Sequence, residues 1–218
     1  MKPLLEIRNL TKFYSKNDKL PAVCDISLVI NKNSSLALIG ESGCGKTTLA
    51  KIIMGLEKPT KGEVVFNGSN IAKMKESQLR PLRRDVQMIF QYSKSVFNPS
   101  YTVGDSIREV LLAHEKLSHE ECQRRLDEIF EVVKLPNSFQ KKYVSQLSGG
   151  QCQRANIARS LILKPKLLIC DEPVASLDYA IRHRVLELLQ EIRQTTDVTY
   201  LLITHDLSNV KDLCQNVA

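Results

Sequence analysis

A glycine-rich segment at residues 40–47 has the composition of a phosphate-binding loop. Its sequence, GESGCGKT, fits the pattern G-x-x-x-x-G-K-[ST]. Glycines let backbone N–H groups turn inward around phosphate oxygens, the Lys46 ammonium supplies positive charge to the β- and γ-phosphates, and the Thr47 hydroxyl is a ligand for Mg²⁺. The alternative is a glycine-rich turn between a strand and a helix. The strand predicted before the loop and the helix predicted over 47–53 favour phosphate binding.

Two adjacent carboxylates follow an apolar segment far along the chain. Residues 167–170 are Leu-Leu-Ile-Cys, and Asp171 and Glu172 come directly after them. Asp171 is suited to hold Mg²⁺, directly or through water, and Glu172 to accept a proton from an attacking water. Acidic residues often end strands, so this pair is weak evidence alone and gains weight from the phosphate-binding loop.

A second glycine-containing helix start is predicted at residues 147–151, where the sequence is LSGGQ. The two glycines open a helix predicted over 150–163, which ends before Pro165. A serine with free N–H groups at a helix N-terminus forms an anion site, so the chain has two predicted phosphate-binding helix starts. Ser148 is also a good N-cap residue, and ordinary capping is the alternative interpretation.

Four short apolar segments must bring these groups together. They are residues 35–39, 86–90, 167–170 and 199–204. Their alternation with helical patterns favours an α/β fold with a largely parallel sheet. The glycine-rich loop follows the first segment, Gln91 the second, the two carboxylates the third and His205 the fourth. Because open α/β sheets bind ligands beyond the carboxyl ends of their strands, we expect these features to converge on one site.

The rest of the chain predicts two further regions. Residues 5–7 and 22–30 alternate in part between apolar and polar, which indicates antiparallel strands, and residues 63–66 before an Asn-Gly pair indicate one arm of a hairpin. Between about residues 102 and 144 the apolar positions recur at helical spacing. This stretch is therefore predicted to form a helical lobe inserted into the sheet domain.

The composition limits the class of protein. Of the 218 residues, 43% are hydrophobic and 25% charged, which is typical of a globular protein. No segment approaches 18 consecutive apolar residues and the first residues lack a secretory signal, so we expect a cytoplasmic protein with at most a peripheral membrane role. The net charge of +7 is compatible with nucleic acid or an anionic membrane, but interleaved acidic residues favour a solvated surface. Six scattered cysteines without CxxC spacing do not predict a metal site.

The chain resembles ABC-type nucleotide-binding domains over essentially its whole length, because its motifs occur in that family's order. They are the loop at 40–48, Gln91, the segment 147–151, Asp171 with Glu172, the segment 175–178 and His205. The resemblance implies an α/β fold: a P-loop NTPase (RecA-like) core with a mainly parallel sheet, an N-terminal antiparallel β subdomain and an inserted α-helical subdomain. We place the core with its β subdomain at approximately 1–93 and 147–218, and the helical subdomain at approximately 94–146.

The resemblance also implies a set of site residues. Contacts to ATP within the same subunit are expected from Tyr14, Gly40, Glu41, Ser42, Gly43, Cys44, Gly45, Lys46, Thr47, Thr48, Gln91 and Asp171. In the family the signature of one subunit faces the ATP of the other in a head-to-tail dimer, which implies contacts in trans from Ser148, Gly149, Gly150, Gln151 and Asp178. The expected Mg²⁺ ligands are Thr47, Gln91 and Asp171. The expected catalytic residues are Glu172, His205, Lys46 and Gln91.

Individual roles follow from the same resemblance. Tyr14 looks like the aromatic residue that stacks on adenine, with Phe13 as a possible substitute and core packing as the alternative for both. Gln91 resembles the residue that senses Mg²⁺ and the γ-phosphate and links them to the helical lobe. His205 resembles the histidine that contacts the γ-phosphate and orients the water. A solvated position on a helix surface is expected for the other histidines, His114, His119 and His183.

Finer details resemble the peptide/nickel importer branch of the family, notably residues 40–47, 97–104 and 151–178. Two features depart from the branch: the segment after Gln91 begins at Tyr92 with unusual residues, and Cys152 replaces a basic residue. The order Ala-Ser at 175–176 departs from the wider family, in which Ser-Ala is common. The sequence also stops soon after His205, so we expect the C-terminal part of the usual family domain to be missing.

The leading hypothesis is the ATP-binding subunit of a bacterial ABC importer that drives transport of peptides or nickel/metal chelates. It implies ATP and Mg²⁺, a second ABC ATPase subunit as homo- or heterodimer, membrane permease subunits, indirectly an extracytoplasmic solute-binding protein, and a position on the cytoplasmic face of the cell membrane, without nucleic acid. The alternative is a soluble ABC ATPase acting on ribosomes or nucleic acid, but two domains in one chain or a long coiled coil usually mark such proteins. A third possibility, a non-hydrolysing regulatory subunit, is disfavoured by the intact Glu172 and His205.

Overall fold

The computed structural model describes residues 3–15, 17–207, 210–211 and 213–218. Within this part of the chain the strands are β1 Pro3–Lys12, β2 Val23–Asn31, β3 Ser35–Ile39, β4 Lys61–Phe66, β5 Ser69–Asn70, β6 Val86–Ile89, β7 Leu167–Asp171, β8 Thr199–Thr204 and β9 Asn216–Val217. The α-helices are α1 Lys46–Ile53, α2 Glu76–Asp85, α3 Val103–His114, α4 His119–Val132, α5 Gly149–Leu161 and α6 Tyr179–Thr195. Short 3₁₀ helices lie at Ile71–Lys73, Ser93–Val96, Asn137–Lys141 and Val144–Gln146.

A parallel sheet with strand order β6-β7-β8-β3-β9 forms the centre of the fold. Its four longer strands are the four segments that the sequence predicts, and β7 is buried at every position. Alternate residues of β7 belong to different cores: Leu168 and Cys170 to one, Leu167 and Ile169 to the other. This continuous apolar run is what a strand covered on both faces requires.

An antiparallel sheet with the order β2-β1-β4-β5 contributes, together with α1, to the core on one face of the parallel sheet. The predicted hairpin is present, because Phe66 pairs with Ser69 across the two-residue turn Asn67-Gly68. Both turn residues have positive φ, 47° and 85°, as a tight hairpin turn of this kind requires.

The helices α3 to α6 contribute to the core on the opposite face. The helices α3 and α4 begin at side-chain caps, where the hydroxyls of Thr102 and Ser118 accept backbone N–H bonds of 3.1 Å from Asp105 and Glu121. Both helices share one continuous apolar core with α5 and α6. The α/β fold with its antiparallel sheet and helical insertion is thus confirmed, whereas the boundaries near residues 93 and 146 stay a prediction, and residues 1 and 2 lie outside the described residues.

Two elements have no counterpart among the sequence predictions. The helix α2 contains Pro81 near its middle and buries only Leu79, so the sequence does not show an uninterrupted helical pattern. The strand β9 has only two residues and pairs with β3. None of the described helices is both long enough and apolar enough to span a bilayer.

Replacement of Gly62 by alanine is expected to destabilise the antiparallel sheet. Gly62 has a φ of +89°, and a Cβ at this position would lie 2.5 Å from the carbonyl oxygen of Asn9. Gly68 is the matched control, because its φ is +85° but no atom lies within 4 Å of the place that a Cβ would occupy. In urea unfolding, Gly68→Ala should cost ~1 kcal/mol from backbone strain, and Gly62→Ala at least ~1 kcal/mol more because of overlap. Equal losses would show that the close approach to Asn9 is not a constraint.

Candidate nucleotide site at the carboxyl edge of the parallel sheet

A cavity of about 620 Å³ opens at the carboxyl ends of β3, β7 and β8. It is lined by Tyr14, Ala22, Glu41, Ser42, Gly43, Gly45, Lys46, Thr47, Thr48, Gln91, Asp171, Glu172 and His205. All four polar features that follow the predicted strands therefore meet at one place. The position agrees with the general location of ligands in open α/β sheets.

The glycine-rich loop turns directly into α1, whose N-cap is Gly45 with a φ of 101°. A Cβ on Gly45 would lie 2.0 Å from the carbonyl oxygen of Ala22, so the loop can pass this segment only with glycine. The Lys46 ammonium donates hydrogen bonds of 2.7 Å to the carbonyl oxygens of Gly40 and Glu41. The Lys46 ammonium therefore lies inside the loop, at the place where a phosphate group would bind.

The Thr47 hydroxyl donates a 2.9 Å hydrogen bond to the carboxylate of Asp171. Burial raises the pKa of the Asp171 carboxyl, and the neighbouring Glu172 acts in the same direction, whereas the Thr47 bond and the Lys46 charge lower it. A buried carboxylate next to a hydroxyl is an oxygen pair of the kind that Mg²⁺ prefers. The residues present therefore fit a bound divalent cation, which would offset the cost of burying the charge.

Glu172 has a strained backbone, with a φ of 49°, and its side chain is only 15% exposed. Its Oε1 accepts a 3.0 Å hydrogen bond from the backbone N–H of His205 and lies 2.5 Å from that residue's Nδ1. Its Oε2 accepts a 3.4 Å bond from the Thr204 hydroxyl. Positive φ in a non-glycine residue is uncommon and clusters at functional sites. The geometry fixes a carboxylate and an imidazole side by side at the cavity wall.

Tyr14 and Gln91 also line the cavity. The Tyr14 ring is 56% exposed, its hydroxyl lies 3.1 Å from the Thr48 hydroxyl, and the Lys12 ammonium lies 5.2 Å from the ring centroid. The exposed ring is thus available for stacking, and core packing, the alternative interpretation, does not apply to it. The Gln91 carbonyl oxygen accepts a 3.5 Å bond from the Ser176 hydroxyl. The reversed Ala-Ser order at 175–176 therefore places a hydroxyl against the segment that begins at Gln91.

The second glycine-containing helix start has the capping geometry that the sequence left open. Ser148 is the N-cap of α5, its hydroxyl accepts a 3.3 Å bond from the Gln151 N–H, and the Gln151 side chain accepts a 3.0 Å bond from the Ser148 N–H. Ser148 and Gly149 are nevertheless exposed. Neither they nor Gly150, Gln151 and Asp178 line the nucleotide cavity of their own chain.

The start of α5 packs directly against the start of α6. A Cβ on Gly150 would lie 2.5 Å from Cγ2 of Ile181, and one on Gly149 would lie 3.5 Å from Leu177. Asp178, at the N-cap of α6, is exposed beside this contact. The exposed ends of the two helices therefore form one surface, separate from the cavity.

A few sequence-predicted residues do not line the cavity, and one lining residue was missed. Gly40 contributes its carbonyl oxygen to Lys46 instead, and the Cys44 sulfur lies 3.6 Å from the same ammonium. Ala22 lines the cavity, but nothing in its residue type indicates this. His119 and His183 are exposed as predicted, whereas His114 is half-buried.

Comparison with known proteins agrees with this geometry. The protein family described as "ABC transporter" matches residues 23–175. The oligopeptide transport ATP-binding protein OppF of Escherichia coli (strain K12) is 40% identical over 99% of this chain and 68% of its own length. The nickel import ATP-binding protein NikE of Shigella boydii serotype 4 (strain Sb227) is 39% identical over 98% of this chain and 82% of its own length.

Two solved structures share the fold. The structure of cbiO1 from Clostridium perfringens, described as part of the ABC transporter complex cbiONQ, has a TM-score of 0.87 and 28% identity over 100% of this chain and 84% of that one. The dimeric ATP-binding cassette MJ0796, in a post-hydrolysis state bound to ADP and Pi, has a TM-score of 0.83 and 29% identity over 94% of this chain and 89% of that one.

Replacement of Gly150 by alanine is expected to disturb the surface formed by α5 and α6. The added methyl would overlap Ile181, so unfolding free energy should fall by ~1–3 kcal/mol although alanine is the better helix former. Gly149→Ala is the control, because its methyl group would lie at an ordinary van der Waals distance of 3.5 Å from Leu177. The double variant Gly150→Ala/Ile181→Ala removes the overlapping group and should recover part of the loss. No recovery would mean that Ile181 does not limit the residue at 150.

Proposed function

This chain belongs to the ABC transporter family, and from that premise we propose that it is the ATP-hydrolysing subunit of an importer for peptides or for nickel and its chelates. The observation that supports hydrolysis is the convergence of Lys46, Asp171, Glu172 and His205 on one cavity. The cargo classes are those for which the relatives OppF and NikE are named. These relatives favour transport over action on ribosomes or nucleic acid.

In the proposed mechanism the glycine-rich loop binds the phosphates of ATP. The Lys46 ammonium exchanges its bonds to two loop carbonyls for bonds to β- and γ-phosphate oxygens. Thr47, Asp171 and Gln91 provide the oxygen atoms for Mg²⁺. When bound, this ion neutralises negative charge on the phosphate oxygens. The exposed ring of Tyr14 stacks on the adenine.

Hydrolysis requires a base and an oriented water. The Glu172 carboxylate accepts a proton from the water whose oxygen forms a bond to the γ-phosphorus, while the bond from that phosphorus to the bridging oxygen breaks and ADP leaves with the electron pair. His205 is held by Glu172 through its Nδ1 and contacts the γ-phosphate with its other ring nitrogen. The strained backbone of Glu172 is consistent with a carboxylate fixed before the substrate binds.

The second half of each ATP site is proposed to come from another subunit. Ser148, Gly149, Gly150, Gln151 and Asp178 lie outside the chain's own cavity, on the surface where α5 and α6 begin. A helix N-terminus with a serine is suited to the γ-phosphate of a facing subunit, which would replace the capping bonds between Ser148 and Gln151. A dimeric relative with bound ADP and Pi supports this arrangement. The chain then functions as a homo- or heterodimer.

Membrane partners complete the proposal. Permease subunits bind the dimer at the cytoplasmic face of the bacterial cell membrane, and an extracytoplasmic solute-binding protein delivers the cargo to them. Closure of the dimer on ATP and its reopening after hydrolysis move the helical lobe, and Gln91, which lines the cavity just before that lobe in the sequence, connects the nucleotide to it. The lobe is proposed to span approximately residues 94–146.

Glu172→Gln is expected to retain ATP binding and to lower the steady-state hydrolysis rate by about 10²- to 10⁴-fold, because the amide accepts no proton from water. The variant should also accumulate as an ATP-bound dimer. Glu187→Gln is the matched control, since Glu187 lies on α6 and pairs only with His183 among the described residues. Phosphate release and gel filtration with ATP measure both effects. Full activity of Glu172→Gln would exclude the proposed base.

Two inactive variants are expected to restore activity when mixed. Lys46→Ala removes the phosphate cation and Ser148→Arg blocks the helix start, so each homodimer has two defective sites. A mixed head-to-tail dimer has one intact site, built from Lys46 of one subunit and Ser148 of the other. Random exchange of subunits makes about half of the dimers mixed, and each mixed dimer has one intact site out of two. About a quarter of all sites should therefore regain activity. If both residues acted within one subunit, mixing would restore nothing.

A further inference from the structure

A basic cleft of about 500 Å³ lies far from the nucleotide cavity and shares no residue with it. It is lined by Arg80, Pro81, Arg84, Asp85, Ala113, His114 and Lys166. Lys166 precedes the first residue of β7, whereas Asp171 ends that strand. At ~3.3 Å per residue the two are about 17 Å apart along the strand, so the cleft lies at the opposite edge of the sheet.

The cationic groups at the cleft exceed the carboxylates that pair with them. Arg84 bonds to Glu115 at 2.9 Å, and the same carboxylate is shared with Arg125 at 3.0 Å. Lys166 pairs with Asp85 at 2.5 Å. Among the described residues Arg80 has no carboxylate partner, and its hydrogen bond is a long one of 3.4 Å to the carbonyl oxygen of Ala113. The group therefore has a surplus of positive charge, with Arg80 free to bind an anion.

The positive charges at the cleft also act on His114, which is half-buried. Burial lowers the pKa of His114, and the charges of Arg80 and Arg84 lower it further, against the opposing effect of Glu115. Lys75 and Lys116, which flank the cleft in sequence, are exposed and have no ion pair in the described part of the chain.

We propose that this cleft binds the phosphate headgroups of anionic lipids at the membrane surface. Arg84 lies in the last turn of α2, where the helix dipole stabilises its charge, and the ends of α2 and α3 at the cleft provide no inward-pointing N–H groups for a dehydrated free anion. The exposed cations Arg80, Arg84 and Lys166 suit a headgroup that stays partly solvated. The inference rests on the proposed function, because a transporter subunit is held next to a membrane. It adds a direct contact between this chain and the lipids, besides the contact through the permease.

Sedimentation of the purified chain with phosphatidylcholine vesicles, with and without phosphatidylglycerol, tests the proposal. Binding should require phosphatidylglycerol and weaken as salt is added. Arg80→Gln should weaken it about fivefold and Arg80→Gln/His114→Gln at least as much, whereas Arg80→Lys should retain it. Arg184→Gln is the control, because Arg184 is an exposed arginine on α6 without an ion pair among the described residues.

Four outcomes would overturn the proposal. Equal binding to both vesicle types, or equal loss in Arg80→Gln and Arg184→Gln, would exclude the cleft as a lipid site. Displacement by inorganic phosphate at concentrations too low to screen charge would assign it to a free anion. Absence of vesicle binding together with capture of the chain by a purified permease, lost in Arg80→Gln, would assign it to an acidic protein surface.

ATP binding and hydrolysis measured on the same preparations separate this inference from the proposed function. Arg80→Gln should leave both unchanged, and Lys46→Ala should abolish ATP binding while vesicle binding persists. Normal hydrolysis without lipid binding would overturn only the lipid site. Lipid binding without hydrolysis in the wild-type chain would overturn only the proposed ATPase.

Discussion

The register of the parallel sheet is the constraint on which the site depends. Asp171 pairs with Ile203 and Ile39 pairs with Thr204, so the strands β3, β7 and β8 end at nearly the same level. That alignment brings the glycine-rich loop, the two carboxylates and His205 to one edge, although residues 40–47 precede Asp171, Glu172 and His205 by more than 120 positions in the sequence. It is stabilised by burial on both faces, since alternate side chains of β7 enter different cores. A shift by one residue would exchange the two cores.

The sequence predicts a structural feature correctly where the backbone or its burial requires particular residue types. The four central strands are apolar runs because both faces are covered, and the phosphate loop is recognisable because only glycine passes Ala22 at position 45. The prediction fails where a position needs no particular residue type. Ala22 enters the cavity wall by position alone, and α2 has only 10 residues, is interrupted by Pro81 and buries a single leucine. Neither feature produces a pattern of apolar residues long enough to be recognised in the sequence.

The free site holds its reactive groups with internal partners that a substrate can replace. Lys46 bonds to two loop carbonyls, Thr47 bonds to Asp171, and Glu172 bonds to His205. Asp171 bears the cost of burial, which its raised pKa expresses. A phosphate and a cation would satisfy these groups better than the present partners do. Part of the proposed affinity for ATP with Mg²⁺ then comes from offsetting the free-energy cost of burying the Asp171 carboxylate.

The contact between Gly150 and Ile181 gives the proposed dimer surface a mechanical basis. Because Ile181 lies where a side chain at 150 would be, the starts of α5 and α6 cannot move independently without opening a gap in the packing. The segment that leads into α6 also contains Ser176, which touches Gln91 at the chain's own cavity. A displacement of Gln91 by nucleotide would therefore press on the same segment that positions Asp178 and Ser148. In the proposed dimer, the occupancy of one ATP site thereby alters the surface presented to the other.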